Sequence, residues 1–262
     1  MEIIFCILYS KTLFLRKIYY IMKKNVKNYL DEYPKILILG DGLLGSEIIK
    51  QTGWEYLSIE KDGIDVVEDF DSLEDKIIKI EPNVIINGVG WTDTYSKERQ
   101  KHWDINYGFV VNLANICDTE FIKLVHISTD YIYANSEGGS AKTEDDVPVH
   151  QATWYSYTKL ISDAYIQLKV EDYLLVRCSF KPKPFPYKKA YGNIRGNFDY
   201  VDVIAKQIID LINEDRYGVW NIGTRFKSIY DLAKQTVPDI GEWHNDQLPI
   251  IEMNLSKFNN RQ

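Results

Sequence analysis

From residue 35 onward, short apolar runs alternate with amphipathic segments, and this alternation narrows the fold more than any other feature of the chain. KILIL at 35–39, EYLSI at 55–59, NVIIN at 83–87, FIKLVHIS at 121–128 and YLLVRC at 173–178 predict strands. GIDVVED at 63–69 predicts a further strand, third in order along the chain. The stretches 43–52, 71–81, 96–117 and 154–169 carry helical periodicity between them. Strands this apolar, each separated from the next by a helix, must be covered on both faces. The pattern predicts an α/β fold, a doubly wound parallel sheet of about seven strands in the Rossmann manner.

Regularity stops after Arg177. SFKPKPFPYKKAYGNIRGN, with prolines and basic residues interspersed, predicts a loop. A helix at 201–214, a strand VWNIG at 219–223 and a helix at 227–235 follow. The organisation expected is an N-terminal extension over 1–33, a nucleotide-binding Rossmann domain over 34–180, and a reduced substrate-binding lobe over 181–262.

Residues 1–33 are apolar and aromatic but interrupted by Lys11, Arg16 and Lys17. They suit neither a membrane-spanning helix, which needs about 20 apolar residues, nor a signal peptide, whose charges precede its apolar core. Met22, followed by Lys23 and Lys24, is read as the true start. A net charge of −7 without a dense basic stripe argues against nucleic acid as a partner. Cys6, Cys117 and Cys178 form no C-x-x-C pair and are read as reduced thiols in a cytoplasmic protein without a metal site. No membrane association is expected, and a homodimer is left open.

LILGDGLLGSEI sets Gly40, Gly42 and Gly45 as G-x-G-x-x-G, with Leu43 and Leu44 between the last two, after a strand and at the start of a helix. That arrangement supplies a tight turn, close backbone approach to a diphosphate, and a helix N-terminus facing an anion. About 20 residues past the first glycine, Glu60 ends the second strand, where a carboxylate can accept the ribose hydroxyls of NAD. Lys61 beside it would favour the extra phosphate of NADP, so NADH and NADPH both stand. Asp65 on the third strand either meets the adenine amine or is a solvated strand-end carboxylate. Gly88 and Gly90, after the fourth strand, mark either a close cofactor approach or a plain turn.

The fifth strand ends in Ser128, Thr129 and Asp130, at the sheet edge where open α/β folds bind ligands. On the next predicted helix, Tyr155 and Lys159 stand one turn apart on one face. Tyr-x-x-x-Lys spacing recurs at Tyr19, Tyr20, Tyr165 and Tyr230, so only its surroundings give this copy meaning. A tyrosine hydroxyl titrates near 10 and needs a neighbouring cation to exchange protons easily at neutral pH. Lys159 can supply that cation and hold the nicotinamide ribose, while Thr129 can hydrogen-bond a carbonyl oxygen.

The ordered set LGDGLLG, NVIINGVGWTD, DINYGFVVNLA, HISTDYIY, YSYTKL and LLVRCSF, spanning about residues 35–180, resembles the extended short-chain dehydrogenase/reductases and, among them, the dTDP-4-dehydrorhamnose reductase family. The resemblance implies Thr129, Tyr155 and Lys159 as a catalytic triad, with Asn106 as the helix residue that bonds main chain or water near the lysine. It implies an NAD(P)H-dependent oxidoreductase acting on a 4-keto-6-deoxy nucleotide sugar in dTDP-rhamnose biosynthesis. A non-catalytic regulatory subunit, like that of methionine adenosyltransferase, and a reductase or epimerase of another small carbonyl compound are the alternatives. Two departures stand out: Leu39 occupies the place of the family's first glycine, and FKPKPFPYKKAYGNIRGN replaces a longer helical insertion.

Arg177 either supports the cofactor side or is a salt-bridged structural arginine. Lys181, Lys183, Lys188, Lys189 and Arg195 either clamp a diphosphate or are simply solvated. His102, His126, His150 and His244 share no ligand spacing, and His126 reads as a satisfied core histidine. Cys178 reads as core packing.

Overall fold

The computed structural model describes residues 34–136, 140–148 and 150–261, so the expectations for the N-terminal extension lie outside the described residues. Its centre is a six-stranded, all-parallel sheet. The strands are β1 (Ile36–Leu39), β2 (Glu55–Leu57), β3 (Val84–Asn87), β4 (Lys123–Thr129), β5 (Tyr173–Cys178) and, after four short strands, β10 (Gly218–Asn221). Their spatial order is β10-β5-β4-β3-β1-β2. β1 thus has β2 on one side and β3 on the other, and the carboxyl ends of β1 and β3 form the switch point where such sheets open a crevice.

Alternation along β1 shows why both faces are apolar. Ile36 and Ile38 pack on one side beneath the helices α1 (Leu43–Thr52) and α7 (Val201–Asn213), with Ile48, Ile204 and Ile208. Leu37 and Leu39 pack on the other beneath α3 (Phe70–Ile80), α5 (Phe109–Glu120) and α6 (Trp154–Lys169), with Leu73, Leu113 and Ile166. α4 (Arg99–Trp103) runs into α5 through a π-helical turn, Asp104–Gly108.

The strand expected at 63–69 is a turn, which leaves six strands in the sheet rather than seven. Ile64 is buried as a strand residue would be. Asp65, however, bends the backbone: its Oδ1 accepts the N–H groups of Val67 at 2.8 Å and Glu68 at 3.2 Å, an Asx turn that leads into α3. Strand β2 also stops at Leu57, so Glu60 lies in a short helix, α2 (Ile59–Asp62), capped by Ser58.

Beyond β5 the chain forms β6 (Phe180–Lys181), β7 (Lys189–Tyr191), β8 (Arg195–Gly196) and β9 (Asp199–Tyr200), then α7 and β10. β11 (Lys227–Ser228), α8 (Ile229–Ala233), β12 (Gly241–Trp243) and α9 (Ser256–Asn259) complete it. Three two-stranded pairs, β6 with β9, β8 with β11 and β7 with β12, enclose a small core that includes Phe185, Phe198, Tyr200 and Leu232. α7 and β10 complete the main sheet and its cover, so the core does not divide at residue 180. Among the described residues, no helix is long and apolar enough to cross a membrane.

Candidate active site

The glycine turn follows directly from β1. Gly40 has φ +89°, a conformation that favours glycine. A Cβ on Gly45 would run into the Gly40 carbonyl, so α1 can start this close to the turn only with glycine there. Gly42 has open space in front of it and caps α1 without a side chain, leaving the helix N-terminus bare for an anion. The absence of a glycine at Leu39 does not unmake the turn. The residues present therefore suit the diphosphate of a dinucleotide.

Two neighbouring hollows flank this turn, and Gly42, Gly88 and Gly90 belong to both. The smaller, of about 270 Å³, is lined by Gly40, Asp41, Ser58, Ile59, Asp65 and Leu73 among others. The larger, of about 490 Å³, contains Leu43, Leu44, Asn106, Thr129, Tyr155 and Lys159. Nearly all the expected cofactor and catalytic residues thus share one trough across the switch point. Gly45 and Glu60 line neither hollow: Gly45 packs against the Gly40 carbonyl behind the turn, and Glu60 is exposed on α2, whereas Ser58 and Asp65 line the smaller.

α6 carries the tyrosine and lysine because its start is sharply fixed. The Thr153 side chain accepts the Ser156 N–H while Ser156 Oγ accepts the Thr153 N–H, a reciprocal cap that sets the helix phase. Tyr155 is half-buried between Tyr131 and His102, with ring centres 6.5 and 6.2 Å away. Burial pushes its hydroxyl up to about 12, with the Thr129 hydroxyl pulling the other way. It is therefore a fully protonated donor at neutral pH. Lys159 is buried, donates to the Ile127 carbonyl at 2.6 Å, and is brought down to about 8 by burial against the opposing pull of Asp163.

Thr129 ends β4 and accepts the Tyr131 N–H at 3.1 Å, which fixes its hydroxyl at the mouth of the cleft. Asp130 next to it is buried, and burial drives its carboxyl up to about 6 against the attraction of Lys181. Asn106 sits in the π-helical turn. Its Oδ1 accepts the Trp91 N–H at 2.8 Å and its Nδ2 donates to the Trp91 carbonyl at 3.0 Å, so it pins the loop after Gly90 to the helix. Both bonds are to main chain.

Arg177 resolves to the structural alternative. It is buried, pairs with Asp163 at 3.2 Å, donates to Tyr133 Oη at 2.7 Å and to the Glu144 carbonyl at 2.6 Å, and does not line the cleft. Of the five basic residues weighed as a clamp, only Lys181 and Arg195 line it. Lys183 is engaged by Asp202 at 2.5 Å, and Lys189 lies over the Trp243 ring. Cys117 and Cys178 are free and buried; Cys178 also reaches the cleft wall. Among the described residues, no cluster of His, Cys, Asp or Glu has the makings of a metal site.

Sequence reasoning missed the opposite wall, built by Tyr131, Ile194, Phe198, Pro249 and Ile251. Tyr131 stood in the HISTDYIY motif, and Pro249 and Ile251 lie in a stretch without any motif, so only tertiary structure brings them to Tyr155.

Comparisons with known proteins agree with this architecture. The described structure superposes on dTDP-4-dehydrorhamnose reductase from Bacillus anthracis str. Ames, solved in complex with NADP, with a TM-score of 0.74 at 19% identity, covering 87% of this chain and 92% of that one. It also matches the enzyme WbmG of Bordetella bronchiseptica, solved with NAD and UDP, with a TM-score of 0.67 at 18% identity, covering 86% and 87%. These likenesses show the fold. In sequence, the spore coat polysaccharide biosynthesis protein SpsK of Bacillus subtilis (strain 168) is 30% identical over 179 residues, which are 66% of this chain and 58% of that protein. The chain thus spans less than two thirds of the length of that curated relative. The family described as RmlD substrate binding domain matches residues 34–182, more than half of the chain, and the kinship expected from the motifs holds: the chain belongs to the RmlD family.

Proposed function

We propose that this protein is an NADH- or NADPH-dependent reductase of a 4-keto-6-deoxy sugar carried on a nucleotide. The observation that carries the reading is the convergence of Thr129, Tyr155 and Lys159 on one cleft that runs on, past Gly90, to the bare N-terminus of α1. The cleft volume of about 490 Å³ lies within the range typical of small-molecule sites. Names of related proteins agree with it: one is a dTDP-4-dehydrorhamnose reductase, another was solved with NAD and UDP, and a third is a spore coat polysaccharide biosynthesis protein.

A nicotinamide bound beside Gly88 and Gly90 would supply the reducing equivalent. Thr129 holds the substrate carbonyl oxygen, and Tyr155 protonates it as negative charge develops there. Lys159 stands one turn behind Tyr155 and stabilises the phenolate left after the transfer. Tyr131 and Asp130 face the sugar, and Lys181 and Arg195 are the cations that would meet the diphosphate of the nucleotide. Lys181, Ile194, Arg195, Phe198, Pro249 and Ile251 make the substrate wall, which is the role given to the C-terminal lobe. The enzyme is taken to work in the cytoplasm.

Titration calorimetry with NADH and NADPH, followed by an oxidation assay on dTDP- and UDP-linked 4-keto-6-deoxy sugars, tests the reading. Binding of at least one cofactor and turnover of at least one sugar are expected. No binding of either cofactor at millimolar concentration would end it, and binding without turnover on a broad carbonyl panel would recast the chain as a regulatory subunit.

A further inference from the structure

His126 lies in the middle of β4, directly after the buried Val125, with no exposed surface. Its register partner across the parallel ladder is Asn87, also fully buried, on the last position of β3. Asn87 Nδ2 lies 3.1 Å from His126 Nδ1. The other ring nitrogen, Nε2, lies 3.1 Å from Lys159 Nζ. The histidine expected to be a satisfied core residue is therefore wedged between a fixed amide and the lysine of the candidate site.

The donors and acceptors in this row do not match if Lys159 is charged. Asn87 is oriented, because its Oδ1 accepts the Val89 N–H at 3.0 Å; its amino group must face the ring. That amino group only donates, so Nδ1 must carry the lone pair. The ring is neutral, since burial holds its proton affinity well below the ordinary histidine range. A neutral imidazole has one N–H and one lone pair, so the N–H sits on Nε2 and points at Lys159. An ammonium has no lone pair to receive it, whereas an amine has one.

The other arrangements are worse. With the proton moved to Nδ1, two donors meet at Asn87. Turning the Asn87 amide over leaves the Val89 N–H facing another N–H. An uncharged Lys159 satisfies every group at once: it accepts from His126 and still donates to the Ile127 carbonyl.

We propose that His126, oriented by Asn87, is a positioning residue for Lys159, fixing where its nitrogen stands and biasing it toward the uncharged amine while the site is empty. The proposal rests on the reading of Lys159 as part of a reductase site. Other groups set the opposing field. Cys178 faces Lys159 from β5, Asp163 and Tyr155 from its own helix, and Arg177 on β5 in turn holds Asp163. Asp130, from the turn after β4, lies beside Tyr155 and Cys178. The Asp163 carboxylate favours the ammonium, burial disfavours it, and the value of about 8 reflects that contest.

Such a lysine suits proton return. Each reduction breaks the Tyr155 O–H bond and forms a substrate O–H bond, which leaves a phenolate. A lysine titrating near neutrality gives that phenolate a proton more readily than an ordinary one, becomes the amine that His126 stabilises, and regains a proton from solvent.

The test is nitrogen NMR of the His126 ring in the full-length protein without cofactor, titrated from about pH 6 to 10, which covers the lysine and histidine ranges. The expected result is a neutral ring with its proton on Nε2, responding to a single titration near pH 8 that is absent from Lys159→Met. In Asn87→Asp the carboxylate draws the proton to Nδ1, Nε2 becomes an acceptor for the ammonium, and that titration should rise by at least about one unit, a tenfold shift in proton affinity. A ring protonated on Nδ1 throughout in the wild type, or an Asn87→Asp titration that matches the wild type, would overturn the proposal. None of these readouts needs turnover, so an inactive protein would refute the reductase reading without touching this one. If turnover is found, the alkaline limb of kcat/KM should move with the same variant; a purely structural pair would lower the melting temperature and leave the limb in place.

Discussion

Replacing Tyr155 with Phe removes one oxygen from a ring whose other contacts are unaffected, so it isolates the proton donor from the packing. The rings of Tyr131 and His102 keep their neighbour, at centre distances of 6.5 and 6.2 Å. The lost hydrogen bond costs about 0.5–1.5 kcal/mol of stability at most. Because burial holds the hydroxyl at about 12, essentially every molecule carries the donor at pH 7, and the variant loses all of it. General acid catalysis is worth about 10² to 10⁴ in rate, or about 3 to 5 kcal/mol of barrier. The assay follows NADH and NADPH oxidation with dTDP- and UDP-linked 4-keto-6-deoxy sugars, beside calorimetric cofactor affinity. Turnover should fall by that factor while cofactor affinity holds. Tyr157→Phe is the control: Tyr157 is 39% exposed, packs on Trp154 and points away from the cleft, so its activity should match the wild type. A Tyr155→Phe enzyme within about threefold of the wild type would refute the assignment, since that corresponds to less than about 1 kcal/mol of barrier.

Three further outcomes follow from the geometry. Glu60→Ala should leave the affinities for NADH and NADPH within about twofold, under about 0.5 kcal/mol, because Glu60 lines neither hollow; calorimetry showing a tenfold loss for NADH alone would restore its ribose role. Arg177→Met should cost about 3–5 kcal/mol in urea unfolding by stranding the buried Asp163 carboxylate, while Arg177→Met with Asp163→Leu should recover much of that loss. Asp130 ionises near 3.8 when unfolded but at about 6 when folded, so the folded state holds the extra proton between those values and the protein gains stability as pH falls from 7 toward 4. Asp130→Asn should therefore raise stability at pH 7 by about 1–3 kcal/mol and flatten that slope, as thermal unfolding at several pH values would show.

The sheet strands were readable because a parallel sheet buried on both faces must be written as apolar runs, and β1, β3 and β5 are such runs. Helix α6 was readable to the residue because Thr153 and Ser156 cap it through local contacts alone. The strand expected at 63–69 failed for a local reason as well: Ile64 and Val66 have strand character, but the Asp65 carboxylate captures the next backbone N–H groups and wins. The strand-end placement of Glu60 failed as well, since β2 stops at Leu57 and Glu60 lies in the short helix that follows.

What stayed hidden depends on partners far along the chain. The C-terminal lobe has strands of two or three residues, too short for any periodicity, and is held by pairs such as Lys227 with Asp199 at 2.6 Å. Its contribution to the cleft wall, Ile194 with Pro249 and Ile251, becomes visible only when Ile251 bridges to Gly196. His126 makes the point most sharply. Its own surroundings in sequence, KLVHIS, describe a core position, and it is one. Its chemistry comes from Asn87 and Lys159, 39 and 33 residues away. A buried polar side chain must find partners, and the identity of those partners, which no local pattern encodes, decides whether it is inert filling or part of the site.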